Sequence, residues 1–383
     1  MRLGTLGALV AAMALGAGVR ADEPSFSRGL PQRPDFFPIA VWLQSPSNAQ
    51  KYKDIGVNVY VGLWRGPTAE QLDAAGIVVF PGQNRAALGF KDRPTIVGWL
   101  QGDEPDNAQS LGEGKGYGPP ITPEKVVERY REIRRADPSR PVLLNLGQGV
   151  AWDGWYGRGT RTNHPEDYPK YVQGGDIVSF DIYPASHDNE AIAGNLWRVP
   201  FGVDRLKTWT EGRKPVWCCI ETTGINNVER KATPAEIRAE VWMALIHGAK
   251  GIIYFCHQFK PTFIEAGLLA DEEAAREVAS INRQIHELAP ILNSPDADPG
   301  ARVESSNQDV PISLMTKKHD GSTYAFAVSL RPGETTASFQ LPEKTDARIE
   351  VIGEDRSVEA HGGAWSDRFA GYQVHLYKVA PGG

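Results

Sequence analysis

From Phe36 to about Ser294 the sequence repeats one rhythm, a short apolar run rich in Val, Ile, Tyr or Trp followed by a polar stretch with helical spacing. No other feature constrains the fold as much, because each run then needs a helix to carry the chain back to the start of the next parallel strand. Strands are expected at Phe36–Leu43, Val57–Trp64, Ile77–Pro81, Thr95–Gln101, Pro141–Leu146, Asp176–Tyr183, Pro215–Glu221 and Gly251–Cys256. Helices fall between them, and several carry their own boundary signals. Thr68 and Thr122 stand where N-caps belong, Gly56, Gly76 and Gly248 where helices stop, and Glu272–Leu292 closes the series. The helix opened by Thr233 carries an apolar stripe at Ile237, Val241, Leu245 and Ile246. Eight such units predict an α/β fold, a (β/α)8 TIM barrel over residues 34–294. A doubly wound open sheet shares the local pattern and is the alternative.

Beyond Asp296 the helical period gives way to alternating runs, STYAFAVSL, TASFQL, ARIEVI and YQVHLYKV, separated by Gly, Pro and Asp turns. This predicts a small C-terminal antiparallel β-sandwich domain over residues 300–383. At the other end, Arg2 precedes an apolar run from Leu3 to Gly18 that is too short and too rich in small residues to span a bilayer. Residues 1–21 therefore read as a signal peptide cleaved after Ala21, which predicts a secreted or periplasmic protein with no membrane anchor once the signal is removed.

A formal charge of −6 without a long basic run argues against nucleic acid or anionic lipid as the main partner and favours a neutral soluble ligand. Three cysteines, Cys218, Cys219 and Cys256, are too few for a disulfide framework and read as small core residues. Cys218 and Cys219 alternate faces, so at most one of them could approach Cys256, and a Cys219–Cys256 bridge is left open.

In a barrel of this kind functional residues gather where strands end and loops to the helices begin. Those ends hold Trp42, Trp64, Gln101 to Pro105, Asn145, Asp181 with Tyr183, Glu221 and His257. Glu104 follows strand four and Glu221 closes strand seven, on opposite sides of the expected mouth. Two such carboxyl groups suit glycoside hydrolysis, in which one is protonated to assist the leaving oxygen and the other is ionised to attack or to activate water. The bland reading, solvated loop acids, is weakened by the apolar strands that lead directly into both. Asn145 and His257 are sugar-binding candidates by position. Of ten tryptophans, Trp42, Trp64, Trp99, Trp152, Trp155 and Trp197 fall at or near the expected loops, where flat rings could pack on the C–H face of a sugar; core packing is the default for any one of them.

The segments IVGWLQGDEP at strand four and PVWCCIETT at strand seven resemble the acid/base and nucleophile segments of the clan A retaining glycoside hydrolases. The resemblance implies Glu104 as acid/base, Glu221 as nucleophile, a β-type linkage more often than an α one, and carboxyl groups about 5 to 5.5 Å apart. The closing YQVHLYKV also resembles the last strand of the β-sandwich appended to many of these barrels. One residue departs from the pattern, since the clan usually has asparagine before the acid/base and Asp103 stands there. Asp103 could hydrogen-bond a sugar hydroxyl, raise the pKa of Glu104 by repulsion, or cap the following loop. Tyr183, in SFDIYP, resembles the tyrosine that hydrogen-bonds the nucleophile.

The expectation is thus a secreted glycosidase acting on an oligosaccharide or polysaccharide, without cofactor or metal. Trp42, Trp64, Asp103, Asn145, Tyr183 and His257 are its candidate substrate contacts. Two alternatives stay open, a metal-dependent barrel hydrolase, for which no HxH or HExxH pattern occurs, and a noncatalytic carbohydrate-binding barrel.

Overall fold

A computed structural model describes residues 26–65 and 69–380. The signal-peptide segment and the Thr68 cap lie outside the described residues. The parallel strands β1 (Ile39–Gln44), β2 (Val59–Leu63), β3 (Val78–Phe80), β4 (Trp99–Asp103), β5 (Val142–Leu146), β6 (Ile177–Phe180), β7 (Val216–Glu221) and β8 (Ile252–Phe255) pair in the order 3-2-1-8-7-6-5-4. Parallel bridges Val79–Ile96 and Gly82–Leu100 join β3 to β4, so the sheet closes on itself. The expected barrel is present, and the open-sheet alternative is excluded.

Alternation along the strands builds two layers of packing. Ala40, Trp42, Val59, Val61, Phe80, Leu143, Trp217, Cys219 and Ile253 fill the interior. Their neighbours, such as Val41, Tyr60, Leu144, Phe180, Cys218 and Ile252, face the surrounding helices. Those are α1 (Ala49–Asp54), α2 (Ala69–Ala75), α3 (Arg85–Gly89), α4 (Pro123–Ala136), α5 (Tyr168–Tyr171), α6 (Arg198–Trp209), α7 (Pro234–Ile246), α8 (Gly267–Ala270) and α9 (Glu272–Leu292). Helix α7 begins with a reciprocal capping box between Thr233 and Glu236, a device worth about 1 kcal/mol. Asp271 caps α9 by accepting from the backbone N–H of Ala274. Because Cys219 faces the interior and Cys256 the helices, the two do not bridge, and all three cysteines are free and buried.

The C-terminal β-sandwich is also present. Strands β9 (Arg302–Ser305), β10 (Ile312–His319), β11 (Ser322–Ser329), β12 (Thr335–Gln340), β13 (Ala347–Val351), β14 (Arg356–Ala360), β15 (Ala364–Phe369) and β16 (Val374–Val379) form two antiparallel sheets, ordered 10-11-16-13-14 and 15-12-9. Phe339, Trp365, Phe369 and Tyr377 pack between them. The outer face of the larger sheet carries Phe326, Val328 and Leu376, which belong to the same apolar cluster as α7 and α9; the rings of Phe326 and Trp242 lie 5.6 Å apart. The sandwich is thus docked through a buried apolar face, and its loops reach the β6–α6 segment, where the Tyr372 hydroxyl donates to the Gly194 carbonyl.

Three strand ends carry backbone that side-chain-bearing residues rarely adopt. Leu43, Arg65 and Glu104 have φ of 46°, 59° and 40°. Such positions cost of order 1–3 kcal/mol each and gather where surrounding structure holds a side chain in place.

Candidate active site

Strand β4 loses register against β5 between Leu100 and Asp103, and this irregularity leads directly into left-handed Glu104. The turn presents Glu104 to the mouth of the barrel. Its Oε2 accepts a hydrogen bond from Asn107 Nδ2 at 2.8 Å, and Asn107 Oδ1 accepts in turn from the indole of Trp155 at 2.9 Å. Behind it, Gly147 leaves the space the carboxyl needs, since a Cβ there would stand 2.9 Å from Glu104 Oε1 and 2.8 Å from Asn107 Oδ1.

Glu104 also lies against the carboxyl group of Asp181, which follows the end of β6. Two carboxyl groups in contact must share a proton. Enclosure in the mouth holds the pKa of Glu104 well above the carboxylate range, and the charges of Asp181 and Asp103 push it further. Burial, then the charge of Asp103, raises Asp181 to about 7, against the effect of the neighbouring Glu104 carboxyl and Tyr183 hydroxyl. Asn145 ties the group together: its Nδ2 donates to Asp103 at 3.0 Å and to Asp181 at 3.4 Å, while its Oδ1 accepts from Ser179 at 2.8 Å. Asp103 opens to solvent through the mouth although protein walls surround it, and this partial desolvation raises its pKa. Its neighbour Asp106 serves the scaffold. It is buried, accepting from the backbone N–H of Gly147 and from the Tyr168 hydroxyl.

Five residues singled out in the sequence, Asp103, Glu104, Asn145, Tyr183 and, as a strand end, Asp181, are therefore one network. Asn145 and Tyr183 are nearly inaccessible, so they position the acids more than they face a ligand. Tyr183 lies beside Asp181, whereas the hydrogen bonds to Glu221 come from the backbone N–H groups of Ala185 and Ser186.

Glu221 stands apart from this network. It is fully buried, with Oε1 accepting from the backbone N–H of Ala185 at 2.6 Å and Oε2 from that of Ser186 at 2.8 Å. The carboxyl of Glu240, on α7, lies against it, and neither of its oxygens has a hydrogen-bond partner among the described residues. Burial raises Glu221 to about 7, the two backbone donors and Glu240 opposing it, and holds Glu240 well above the carboxylate range.

The remaining candidates divide by exposure. Trp42 is buried in the barrel interior, and Trp99 is buried behind β4, its indole donating to Asp137. Trp197 is held by the guanidinium groups of Arg198 and Arg331, each 4.3 Å from its ring. None of these three faces the mouth as a sugar platform. His257 is buried, with Nε2 donating to the Leu43 carbonyl, but its ring forms the base of an aromatic group with Trp64, Phe259 and Phe263. Across the mouth, Trp152, Trp155 and Tyr156 form a second group around His187. Asn107, Glu240, Phe259 and Phe263 were not singled out in the sequence. Asn107 could have been, since it lies in the same DEPDN turn as Glu104. Among the described residues no group of three or more His, Cys, Asp or Glu is placed to hold a metal ion, and no helix is long and apolar enough to cross a membrane.

Residues 122–288 match the model of glycoside hydrolase family 42, described as beta-galactosidase. The match runs from α4 into α9 and includes Glu221 but not Glu104. No curated protein matches the chain. Solved structures do: an alpha-amylase from Geobacillus thermoleovorans in complex with acarbose superimposes with a TM-score of 0.52 at 10% identity, covering 91% of this chain and 99% of that one. A family 30 endoxylanase from Clostridium papyrosolvens aligns with a TM-score of 0.48 at 9% identity over 90% and 96% of the two chains. At these identities the structural likeness speaks for the barrel alone.

Proposed function

We propose that this (β/α)8 glycosidase, resembling clan A and matched over its second half by a glycoside hydrolase family, cleaves a β-linked oligosaccharide or polysaccharide with Glu104 as its proton donor. One observation carries the role of Glu104: a strained strand-end turn holds its carboxyl at the mouth, in contact with a second acid that keeps a proton between them. A general acid must hold its proton near neutral pH, and enclosure among carboxylates does that.

For the second carboxylate we propose Glu221, acting as the nucleophile of a retaining reaction. Its place at the end of β7 supports this, as do two backbone N–H groups that favour its ionised form. In the state described Glu221 is fully buried beneath the backbone of Ala185 and Ser186, so the reading requires the β6–α6 segment to open it to substrate. The contact between Asp181 and Glu104 favours a second reading, in which Asp181 and Glu104 are the working pair and Glu221 is structural.

Azide rescue separates the two. With an activated aryl glycoside, Glu221→Gly rescued by azide to a product of inverted configuration supports Glu221 as nucleophile; rescue of Asp181→Gly instead supports the second reading. Proton NMR of the first-formed anomer of the unmodified enzyme tests retention. We further propose export of the chain after cleavage behind Ala21, to a secreted or periplasmic location, on the strength of the apolar leader. Mass spectrometry of natively expressed protein tests it, since a mature product still beginning at Met1 would contradict it.

A further inference from the structure

The mouth of the barrel carries two exposed aromatic surfaces, and their places in the ring of strands are informative. One is built from the loops after β2 and β8, which flank β1: Trp64 lies 5.6 Å from Phe263, and Phe263 5.7 Å from Phe259. Phe259 and Phe263 are 44% and 48% exposed. The other comes from the loop after β5, the strand opposite β1 in a ring of eight, where Trp155 packs 4.5 Å from Tyr156 and Tyr156 is 66% exposed. Exposed rings grouped in this way, at a mouth whose other groups are acids, are not explained by folding.

Contacts run without a break from one surface to the other through the acids. Phe259 meets Phe255, and Phe255 meets Tyr183 at 5.0 Å. Tyr183 and Glu104 both neighbour Asp181, which Asn145 ties to Asp103, and Glu104 reaches Trp155 through Asn107. The acid network thus lies between two flat apolar platforms. A single sugar held at Glu104 would leave both platforms bare, whereas a chain laid across the mouth would cover both, with a linkage over the acid.

We infer that this site, if it is the glycosidase proposed above, takes an extended neutral glycan that rests on Phe259 and Phe263 at one end and on Trp155 and Tyr156 at the other, and cleaves it at an internal linkage. Loss of a terminal sugar alone needs neither platform.

The test uses the full-length protein with two readouts. Electrophoresis through gels containing soluble galactan, xylan or mixed-linkage glucan reports chain binding irrespective of turnover. Hydrolysis of oligosaccharides from disaccharide to hexasaccharide, prepared from the polymer that retards the protein, reports length dependence. We expect retardation by at least one polymer and a kcat/KM that rises about tenfold or more with length, each stacked ring supplying a factor of about two to ten. In Phe263→Ala and in Tyr156→Ala the rise should be blunted, and the conservative Phe263→Tyr should restore it, which a merely structural role would not require. Retardation by none of the three polymers, or a length profile that is flat while an aryl glycoside is turned over, would overturn the inference and leave the glycosidase reading standing. Retardation without turnover of any glycoside would instead overturn the glycosidase reading and leave the chain-binding inference standing.

Discussion

Asp181 and Glu104, brought together from the ends of β6 and β4, set two carboxyl groups side by side at the mouth of the barrel, each acting on the proton affinity of the other. Only one proton can sit between them, so the pair titrates as a unit and the charge of one sets the proton affinity of the other.

The first prediction follows from that coupling. Replacing Asp181 by Asn removes the largest like charge acting on Glu104 and lowers its pKa. The alkaline limb of the pH profile of kcat should therefore move toward acid by about one unit or more, and Asp103→Asn, a weaker neighbour, should move it less. Profiles from pH 4 to 10 check it. A limb left unmoved by Asp181→Asn would show that Glu104 is not the titrating acid.

A second prediction concerns Gly147, whose missing side chain makes room for Glu104 and Asn107. Gly147→Ala should push both out of place and lower kcat by about a hundredfold, the scale of a displacement near 1 Å in a catalytic group. Circular dichroism of the variant should remain that of the parent. Kinetics within twofold of the parent would contradict this placement.

Glu221 and Glu240 give a prediction about stability. Glu221 has a folded pKa raised to about 7, above an unfolded value of about 4.3, and Glu240 is raised as well. A carboxyl raised in this way holds its proton more tightly in the folded state. Its effect on folding is neutral below the unfolded pKa, grows unfavourable as pH rises through the interval between the two values, and is constant above about 7. Thermal unfolding should occur at lower temperature at pH 8 than at pH 5. Glu240→Gln, which keeps a donor toward Glu221 and loses the ionisable group, should flatten the difference.

The docked sandwich supplies a prediction about the shared core. Phe326 is fully buried against Trp242, and Phe326→Ala should cost about 3 to 5 kcal/mol by emptying that contact. Denaturant unfolding checks it. A cost below about 1 kcal/mol would show that the two parts do not share a core.

How far the sequence could be read depended on the kind of interaction. Helix α9 appears at the expected bounds because Asp271 caps it locally and its apolar stripe repeats without interruption. Strand β6 is shorter than expected, ending at Phe180; beyond it Asp181 and Tyr183 belong to the acid network while Ile182 packs into the core. Glu104 was legible, since a strand end in a barrel is a place defined by local pattern. Its contact with Asp181 was not, because it depends on how β4 and β6 flank β5 in the folded sheet, which no local pattern reports. The enclosure of Glu221 was equally hidden, depending on backbone donors from another loop and on Glu240 from a helix buried on nearly every side, whose apolar pattern gives no sign of an inward acid. Among the tryptophans, position near a loop did not separate Trp99, turned into the core, from Trp155, bonded to the acid network.

The central claim, that Glu104 delivers the proton to a departing sugar, is tested most directly by comparing leaving groups in Glu104→Ala. On glycosides with poor leaving groups, which need the proton, the variant should lose about three orders of magnitude or more in kcat/KM. On an aryl glycoside with an acidic phenol the loss should be far smaller, so that a plot of log kcat/KM against leaving-group pKa becomes steep where that of the unmodified enzyme is shallow. An equal loss on every glycoside, with the slope unchanged, would contradict the account and place the acid elsewhere in the mouth.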